Sequence, residues 1–158
     1  MGTIQDISAV GHAELPASGG PILFTDYVMD VEEHIVFKPQ GDFRTLIVRN
    51  IGGSDGRFTL EAPEEPSFTL GERVLLFLSK DTGRLFALED EVFTVDGAFQ
   101  GKYTIVSVDG VELALRRYDT SGRELGKLRS EILDSYRAGS DNPETGKAPA
   151  GPGQPTPA

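Results

Sequence analysis

The sequence predicts an all-β domain, a small barrel or sandwich of short antiparallel strands, with one helix near its C-terminal end. Short apolar segments recur about every ten residues with turn residues between them, which favours a barrel or sandwich over any α/β fold. Apolar residues at helical spacing stand out in one segment, residues 123–137. The chain has 158 residues and no cysteine, so we expect one core held together by burial alone.

The central strand is predicted at residues 73–79, within the segment FTLGERVLLFL (68–78). Five consecutive apolar residues, 74–78, follow the turn glycine Gly71 and a charged pair. A run this short that is apolar at every position is typical of a strand covered on both faces. We therefore expect replacement of Leu76 with alanine to cost about 2–5 kcal/mol.

The other strands are predicted from alternation and from the turns that bound them. In residues 22–37, Met29 and Val31 share one face, and Glu33 on that face indicates that the strand leaves the core or bulges there. The further predicted strands are residues 4–15, 43–50, 57–62, 84–88, 92–95, 102–108 and 111–118. The residues expected to be buried are Ile4, Val10, Tyr27, Met29, Val31, Leu46, Val48, Phe58, Leu60, Val74, Leu76, Leu78 and Ile105.

Two glycines carry specific backbone predictions. Asp109 and Gly110 predict a two-residue hairpin turn, because both residues accept the positive φ angles that such a turn needs. Gly101 is expected to permit a bend or a close approach between strands. The segment GAFQGK (97–102) is not a phosphate loop, since its glycines are too close and Tyr103 replaces the hydroxyl that holds magnesium.

The helix is predicted over residues 123–137 from a stripe of apolar residues, Leu125, Leu128, Ile132 and Tyr136. Thr120 or Ser121 is expected to cap it, and Gly139 to end it. Residues 139–158 are predicted to be a disordered tail or linker, which leaves one domain at residues 1–138. From residue 141 onward the chain has five prolines, three glycines and no large apolar residue.

Charge and hydropathy exclude several classes of partner. The formal net charge is −10, and residues 1–115 carry 19 acidic and 8 basic side chains, so nucleic acid and anionic membranes are poor partners. No segment approaches the roughly 18 apolar residues of a membrane span. Residues 1–10 lack a basic region followed by an apolar run, so the sequence predicts no signal peptide there.

Four blocks of sequence resemble, in order and spacing, a group of uncharacterised bacterial domains. The blocks are TDYVMDVEEHIVFK (25–38), TLIVRNIGG (45–53), EEPSFTLGERVLLFLSKD (64–81) and QGKYTI (100–105). The shared pattern is a strand that begins TD and ends in VEE and a lysine, a strand that closes on a GG turn, a P-x-F-x-x-G-E-x-V-L-L-F-L block, and a QGK-aromatic block. The resemblance covers residues 3–110.

The resemblance implies a small OB-like Greek-key barrel in a secreted or cell-surface protein, because members of the group usually follow a signal peptide. Some members look associated with matrixin-type metalloproteases. OB-like barrels commonly bind ligands on one strand face, often by stacking on aromatic rings. The candidate platform is Tyr27, Phe43, Phe58, Tyr103 and Tyr118, although a barrel of this size needs most of its aromatic rings inside.

Five of the 15 lysine and arginine residues form the one predicted basic cluster: Arg116, Arg117, Arg123, Lys127 and Arg129. A solvated helix-and-turn surface accounts for interspersed charge of this kind. The alternative is a docking site for an acidic partner.

Acidic residues and histidines give no predicted metal or cofactor site. Glu64 and Glu65, and the triplet at 89–91, lack EF-hand spacing, and adjacent residues on a strand point to opposite faces, so solubility explains them better than calcium binding. His12 and His34 would bind zinc only if they converged with carboxylates. Serines are plentiful, but no nucleophile-elbow motif accompanies them.

Three classes of function stay open. A non-enzymatic interaction or structural module follows from the absence of a catalytic constellation and from the Pro/Gly-rich tether. A protease-associated or inhibitor-like role follows from the resemblance alone, and the chain lacks the N-terminal cysteine by which metalloprotease inhibitors of OB-like fold reach zinc. A hydrolase or sugar-binding enzyme would need two carboxylates that face one cleft.

Overall fold

A computed structural model describes residues 1–8, 11–14, 21–36, 44–80 and 91–140 of the chain. Over these residues the fold is all-β with one α-helix at the C-terminal end, which confirms the predicted class. Ten strands form one sheet, and two further strands form a separate short hairpin.

The strands are β1 (Gly2–Ile7), β2 (Gly11–Glu14), β3 (Pro21–Val31), β4 (Thr45–Ile51), β5 (Gly53–Ser54), β6 (Thr59–Leu60), β7 (Arg73–Leu76), β8 (Leu78–Lys80), β9 (Phe93–Val95), β10 (Lys102–Val108), β11 (Val111–Leu115) and β12 (Arg123–Glu124). A 3₁₀ turn, Ala98–Gly101, precedes β10, and the helix α1 spans Leu125–Ser140. The sheet order is β12-β11-β10-β7-β1-β3-β4-β9-β8, with β2 paired to β3. Within the sheet, β4 and β9 run parallel and the other pairs antiparallel.

The strand β7 is the central strand that its apolar run predicts. It pairs with β1 on one side and with β10 on the other. Its side chains alternate between two cores, since Val74 lies in the first and Leu75 in the second, and both are almost fully buried. The strand is thus covered on both faces, as predicted, but only over these residues, because Leu76 and Leu78 are half-buried and Phe77 is 38% exposed.

Two apolar cores lie on the two faces of β7. The first core is formed by strands and by the segment before β7, and it consists of Ile4, Met29, Leu46, Val48, Phe68, Val74 and Val95. The second core lies between the sheet and α1, and it consists of Leu75, Tyr103, Ile105, Ala114, Leu125 and Leu128. The helix therefore completes a core that the strands leave open.

The predicted strand 73–79 is divided in two at Phe77. The backbone N–H of Phe77 donates to the carbonyl oxygen of Gly101 (3.0 Å), and its carbonyl oxygen accepts from the N–H of Asp96 (2.8 Å). Beyond Phe77, β8 pairs with β9, which in turn lies parallel to β4. One apolar run thus supplies two strands with different neighbours.

Several local predictions are confirmed. Asp109 (φ 51°) and Gly110 (φ 80°) form the hairpin turn between β10 and β11. A Cβ atom on Gly101 would lie 1.9 Å from the carbonyl oxygen of Asp96, so this position requires the close approach that only glycine allows. The strand β3 ends at Val31, before Glu33 would enter the core.

The burial predicted for Phe58 is wrong, because its side chain is 69% exposed. Of residues 57–62 only Thr59 and Leu60 join a strand, and they pair with the equally short β5. A hairpin of this length leaves the face of Phe58 uncovered. Other residues predicted to be buried are half-buried: Tyr27, Val31, Leu60, Leu76 and Leu78.

The predicted ends of the helix are also wrong. Arg123 and Glu124 pair with β11 through Ala114 and Leu113, so the backbone enters α1 only at Leu125. Thr120 and Ser121 are therefore too far upstream to cap the helix. Gly139 does not end it, since α1 continues to Ser140.

Some predictions fall on residues outside the described ranges: the burial of Val10, the strand at 84–88, the placement of Phe43, and the tail from residue 141 onward. Among the residues that the structure does describe, no helix combines the length and the apolar character needed to cross a membrane.

Candidate functional site: a cleft between the sheet and the helix

A cleft of about 620 Å³ opens between the sheet and α1, and we call it the helix–sheet cleft. Its sheet wall includes Leu76, Phe77 and Leu78 around the break between β7 and β8. Its helix wall includes Leu128, Ile132 and Tyr136. The cleft therefore brings together side chains that pack on both cores.

The cleft exists because α1 covers the second core only along its first turns. Leu125 and Leu128 are 4% and 3% exposed, whereas Ile132 is half-buried and Tyr136 is 52% exposed. These four residues form the apolar stripe predicted from the sequence. Its first two residues are buried, and its last two are progressively more exposed. The second half of the stripe thus presents apolar surface to the cleft, although Ile132 still packs partly against the second core.

Three acidic residues, Glu33, Asp96 and Glu131, line the cleft. A hydrolase or sugar-binding enzyme would need at least two carboxylates in one cleft, so this number is sufficient. Two of the three are held by arginine, since Glu33 pairs with Arg129 and Glu131 with Arg123. The third, Asp96, accepts the hydroxyl of Ser79 at 2.6 Å. The hydrogen bonds from Arg129 lower the pKa of Glu33, which is the opposite of what a general acid needs.

Tyr103 sits under two arginines on another wall of the cleft. Its side chain is 1% exposed, and the Arg116 guanidinium lies over its ring, with Cζ 4.5 Å from the ring centroid. Arg123 bonds to Glu131 and also to Tyr103, and these bonds raise the pKa of the Arg123 guanidinium. This wall therefore places two arginine side chains against a buried tyrosine, and one of them, Arg123, is paired with Glu131.

The aromatic residues predicted as a stacking platform do not gather on one face. Tyr27 is half-buried against Phe68, with ring centroids 4.7 Å apart, and burial raises its pKa. Tyr103 is buried in the second core, whereas Phe58 lies on the exposed β5–β6 hairpin. Tyr118 is 82% exposed beyond β11. Phe43 lies outside the described residues.

The predicted basic cluster separates into two parts. Arg123, Lys127 and Arg129 each pair with a carboxylate, those of Glu131, Glu124 and Glu33 respectively. Arg116 and Arg117 have no carboxylate ion pair within the described part of the chain, and their guanidinium groups lie against aromatic rings instead. The sequence could not separate these parts, because Arg129 and Glu33 are 96 residues apart.

The metal ligands considered above do not assemble within the described ranges, where no three His, Asp or Glu side chains could hold one ion. His34 lines the helix–sheet cleft, and the side chain of His12 lies outside the described part of the structure. Glu91, the described member of the acidic triplet, pairs with Lys80 at 2.8 Å. Burial raises the pKa of Glu65.

Comparison with known proteins gave no matching family model, no matching curated protein and no matching solved structure. The resemblance to bacterial surface domains therefore stays a hypothesis.

Proposed function

We propose that this chain is a non-enzymatic binding module that takes an apolar ligand, or an apolar segment of a partner, into the helix–sheet cleft. The observation that carries the proposal is the cleft of about 620 Å³ on the exposed half of the apolar stripe of α1. Ligand sites in proteins are typically clefts of this size that are mostly apolar with a few polar groups.

The polar groups around the cleft favour binding over catalysis. Glu33 and Glu131 each form an ion pair with an arginine, and Asp96 accepts a hydrogen bond from Ser79, so neighbouring side chains already engage the three carboxylates. The ion pairs also fix α1 in place, because Arg129 of the helix reaches Glu33 beyond the end of β3. A fixed helix gives a preformed cleft, which lowers the entropic cost of binding.

We further propose that the domain is an OB-like barrel. The order of pairing supports this: from β7 it passes through β1, β3, β4 and β9 to β8, which follows β7 after the single residue Phe77. The parallel pair β4–β9 among antiparallel neighbours supports it as well. In this proposal residues 73–80 form one bent strand. Its two parts, β7 and β8, lie at the two ends of the row of strands β1, β3, β4 and β9 and so close the barrel.

The cleft proposal is tested with the apolar dye Nile red as a probe. We expect saturable binding with a fluorescence increase, and amide chemical shift changes at residues that line the cleft, chiefly within 74–78 and 128–136. Phe77→Ala should weaken binding at least about tenfold, which is about 1.4 kcal/mol, because Phe77 lines the cleft.

The matched control is Phe58→Ala, the same chemical change at an exposed phenylalanine that does not line the cleft. Its Nile red affinity should stay within about twofold of that of the unchanged protein. The proposal is wrong if both variants weaken binding equally, or if the shifts fall outside the cleft. Thermal unfolding of each variant establishes that it is folded.

A further inference from the structure

We propose that a second surface, built from Phe99, Arg116, Arg117 and Tyr118, docks a short acidic segment of a protein partner. We call it the arginine–aromatic patch. It borders a cavity of about 340 Å³ that is lined by Phe99, Arg116 and Arg117 but not by α1. The inference goes beyond the proposed function, because it concerns a second cavity, which shares Arg116 alone with the lining of the helix–sheet cleft, and a ligand of opposite character.

The patch is held together by contacts between cations and rings. The Cζ atom of Arg117 lies 5.7 Å from the ring centroid of Phe99 and 5.9 Å from that of Tyr118. The two rings meet edge to face, with centroids 5.8 Å apart. Arg117 also donates to the carbonyl oxygen of Pro63 at 2.8 Å, which fixes its position. The guanidinium is therefore oriented without being neutralised.

The backbone at the patch is strained where it presents the rings. Tyr118 has φ 73° and Ala98, next to Phe99, has φ 54°, a region that bulky residues rarely adopt. Tyr118 is nevertheless 82% exposed, so burial of its ring does not explain the strained conformation. Strained backbone is found more often at functional sites than elsewhere.

Charge decides the class of partner. Arg116 and Arg117 have no carboxylate ion pair among the described residues, so two planar guanidinium groups are available for bidentate bonds to carboxylates. The formal charge of the whole chain is −10, so a long polyanion would run from the patch onto repulsive surface. A short acidic peptide matches the patch without meeting that repulsion.

The test measures anisotropy of a fluorescein-labelled hexaglutamate peptide at about 150 mM salt, where screening over roughly 8 Å suppresses distant repulsion. We expect saturable binding that the double variant Arg116→Ala with Arg117→Ala weakens at least about tenfold. The matched control, Lys80→Ala with Lys127→Ala, removes the same charge at two exposed lysines that pair with carboxylates and line neither cavity. It should change the affinity less than about twofold.

Tyr118→Asn separates backbone strain from peptide binding, because asparagine tolerates positive φ but lacks the aromatic ring. We expect a melting temperature equal to or above that of the unchanged protein, together with weaker peptide binding. Unchanged peptide affinity in this variant would exclude Tyr118 from the patch and contradict the proposal as stated.

The remaining outcomes overturn the inference. Equal weakening by the two double variants would mean that net charge, not the patch, governs binding. Tighter binding of a single-stranded oligonucleotide than of the peptide would assign the patch to nucleic acid. If the peptide does not bind, the inference about the arginine–aromatic patch is also wrong. Nile red titration of the same sample would show separately whether the helix–sheet cleft binds an apolar ligand.

Discussion

The two cores on either side of β7 differ in what covers them. The first core is enclosed by strands and by Phe68, over whose ring the ammonium of Lys102 lies at 4.7 Å. The second core is covered by a single helix, in which Leu125 and Leu128 are buried whereas Ile132 packs against the core only partly buried. The strands therefore close one core by themselves, whereas the helix covers the other incompletely and leaves a cleft.

The largest expected difference is between neighbouring leucines of β7. Leu75 is 2% exposed in the second core, so Leu75→Ala should reduce the free energy of unfolding by about 2–5 kcal/mol. Leu76 is half-buried and lines the helix–sheet cleft, so Leu76→Ala should cost about 1–2 kcal/mol, less than its sequence alone predicts. Urea denaturation of both variants measures the difference.

The ranking of the two variants decides the interpretation. A larger cost for Leu76→Ala than for Leu75→Ala would mean that Leu76 is fully enclosed against the first core in solution and that the cleft is closed at this position. A cost below about 1 kcal/mol for both would contradict the central position of β7.

Much of the fold follows from local sequence, because the features concerned depend on near neighbours. The turn at Asp109 and Gly110 needs only positive φ, and the end of β3 before Glu33 needs only a charge on an apolar face. Phe58 shows the limit of this reasoning. Alternation predicts which residues share a face but not whether another layer covers that face, so its exposure depends on the tertiary fold.

The candidate site was harder to predict, because it depends on contacts between distant residues. The apolar stripe of α1 was visible in the sequence, but its decreasing burial depends on how the helix leaves the sheet. The basic cluster was also visible, yet only the fold pairs Arg129 with Glu33 and leaves Arg117 against Phe99 and Tyr118. No local pattern records which charges are neutralised.

An intermediate effect is expected at Glu72, whose carboxylate links the residue before β7 to β10. Its carboxylate accepts from the Nζ of Lys102 (2.7 Å), the Oγ1 of Thr104 (2.6 Å) and the backbone N–H of Thr69 (2.9 Å). Burial opposes its ionisation, but these donors outweigh burial and lower the pKa of Glu72. Glu72→Gln should therefore cost about 1–2 kcal/mol at pH 7.

The pH dependence has a definite sign. Because folding lowers the pKa of Glu72, its ionised form stabilises the fold fully above the unfolded pKa of about 4.3, and this contribution is lost as the pH falls through the folded value. Glu72→Gln should remove that part of the acid sensitivity, as urea midpoints at pH 3–7 would record. Glu61→Gln, at an exposed glutamate, is the control. An equal loss of acid sensitivity in both variants would contradict the role of Glu72.

The smallest expected effect concerns the helix itself. A Cβ atom on Gly126, in the first turn of α1, would meet no other atom within 4 Å, so Gly126→Ala should stabilise the protein by about 0.5–1 kcal/mol. Gly101→Ala is the opposite control, because its Cβ would lie 1.9 Å from the carbonyl oxygen of Asp96. If the helix is the less stable cover, Gly126→Ala should slow amide hydrogen exchange in α1 more than in β3. Equal slowing in both elements would mean that the two cores unfold as one unit, and that α1 is not the less stable cover.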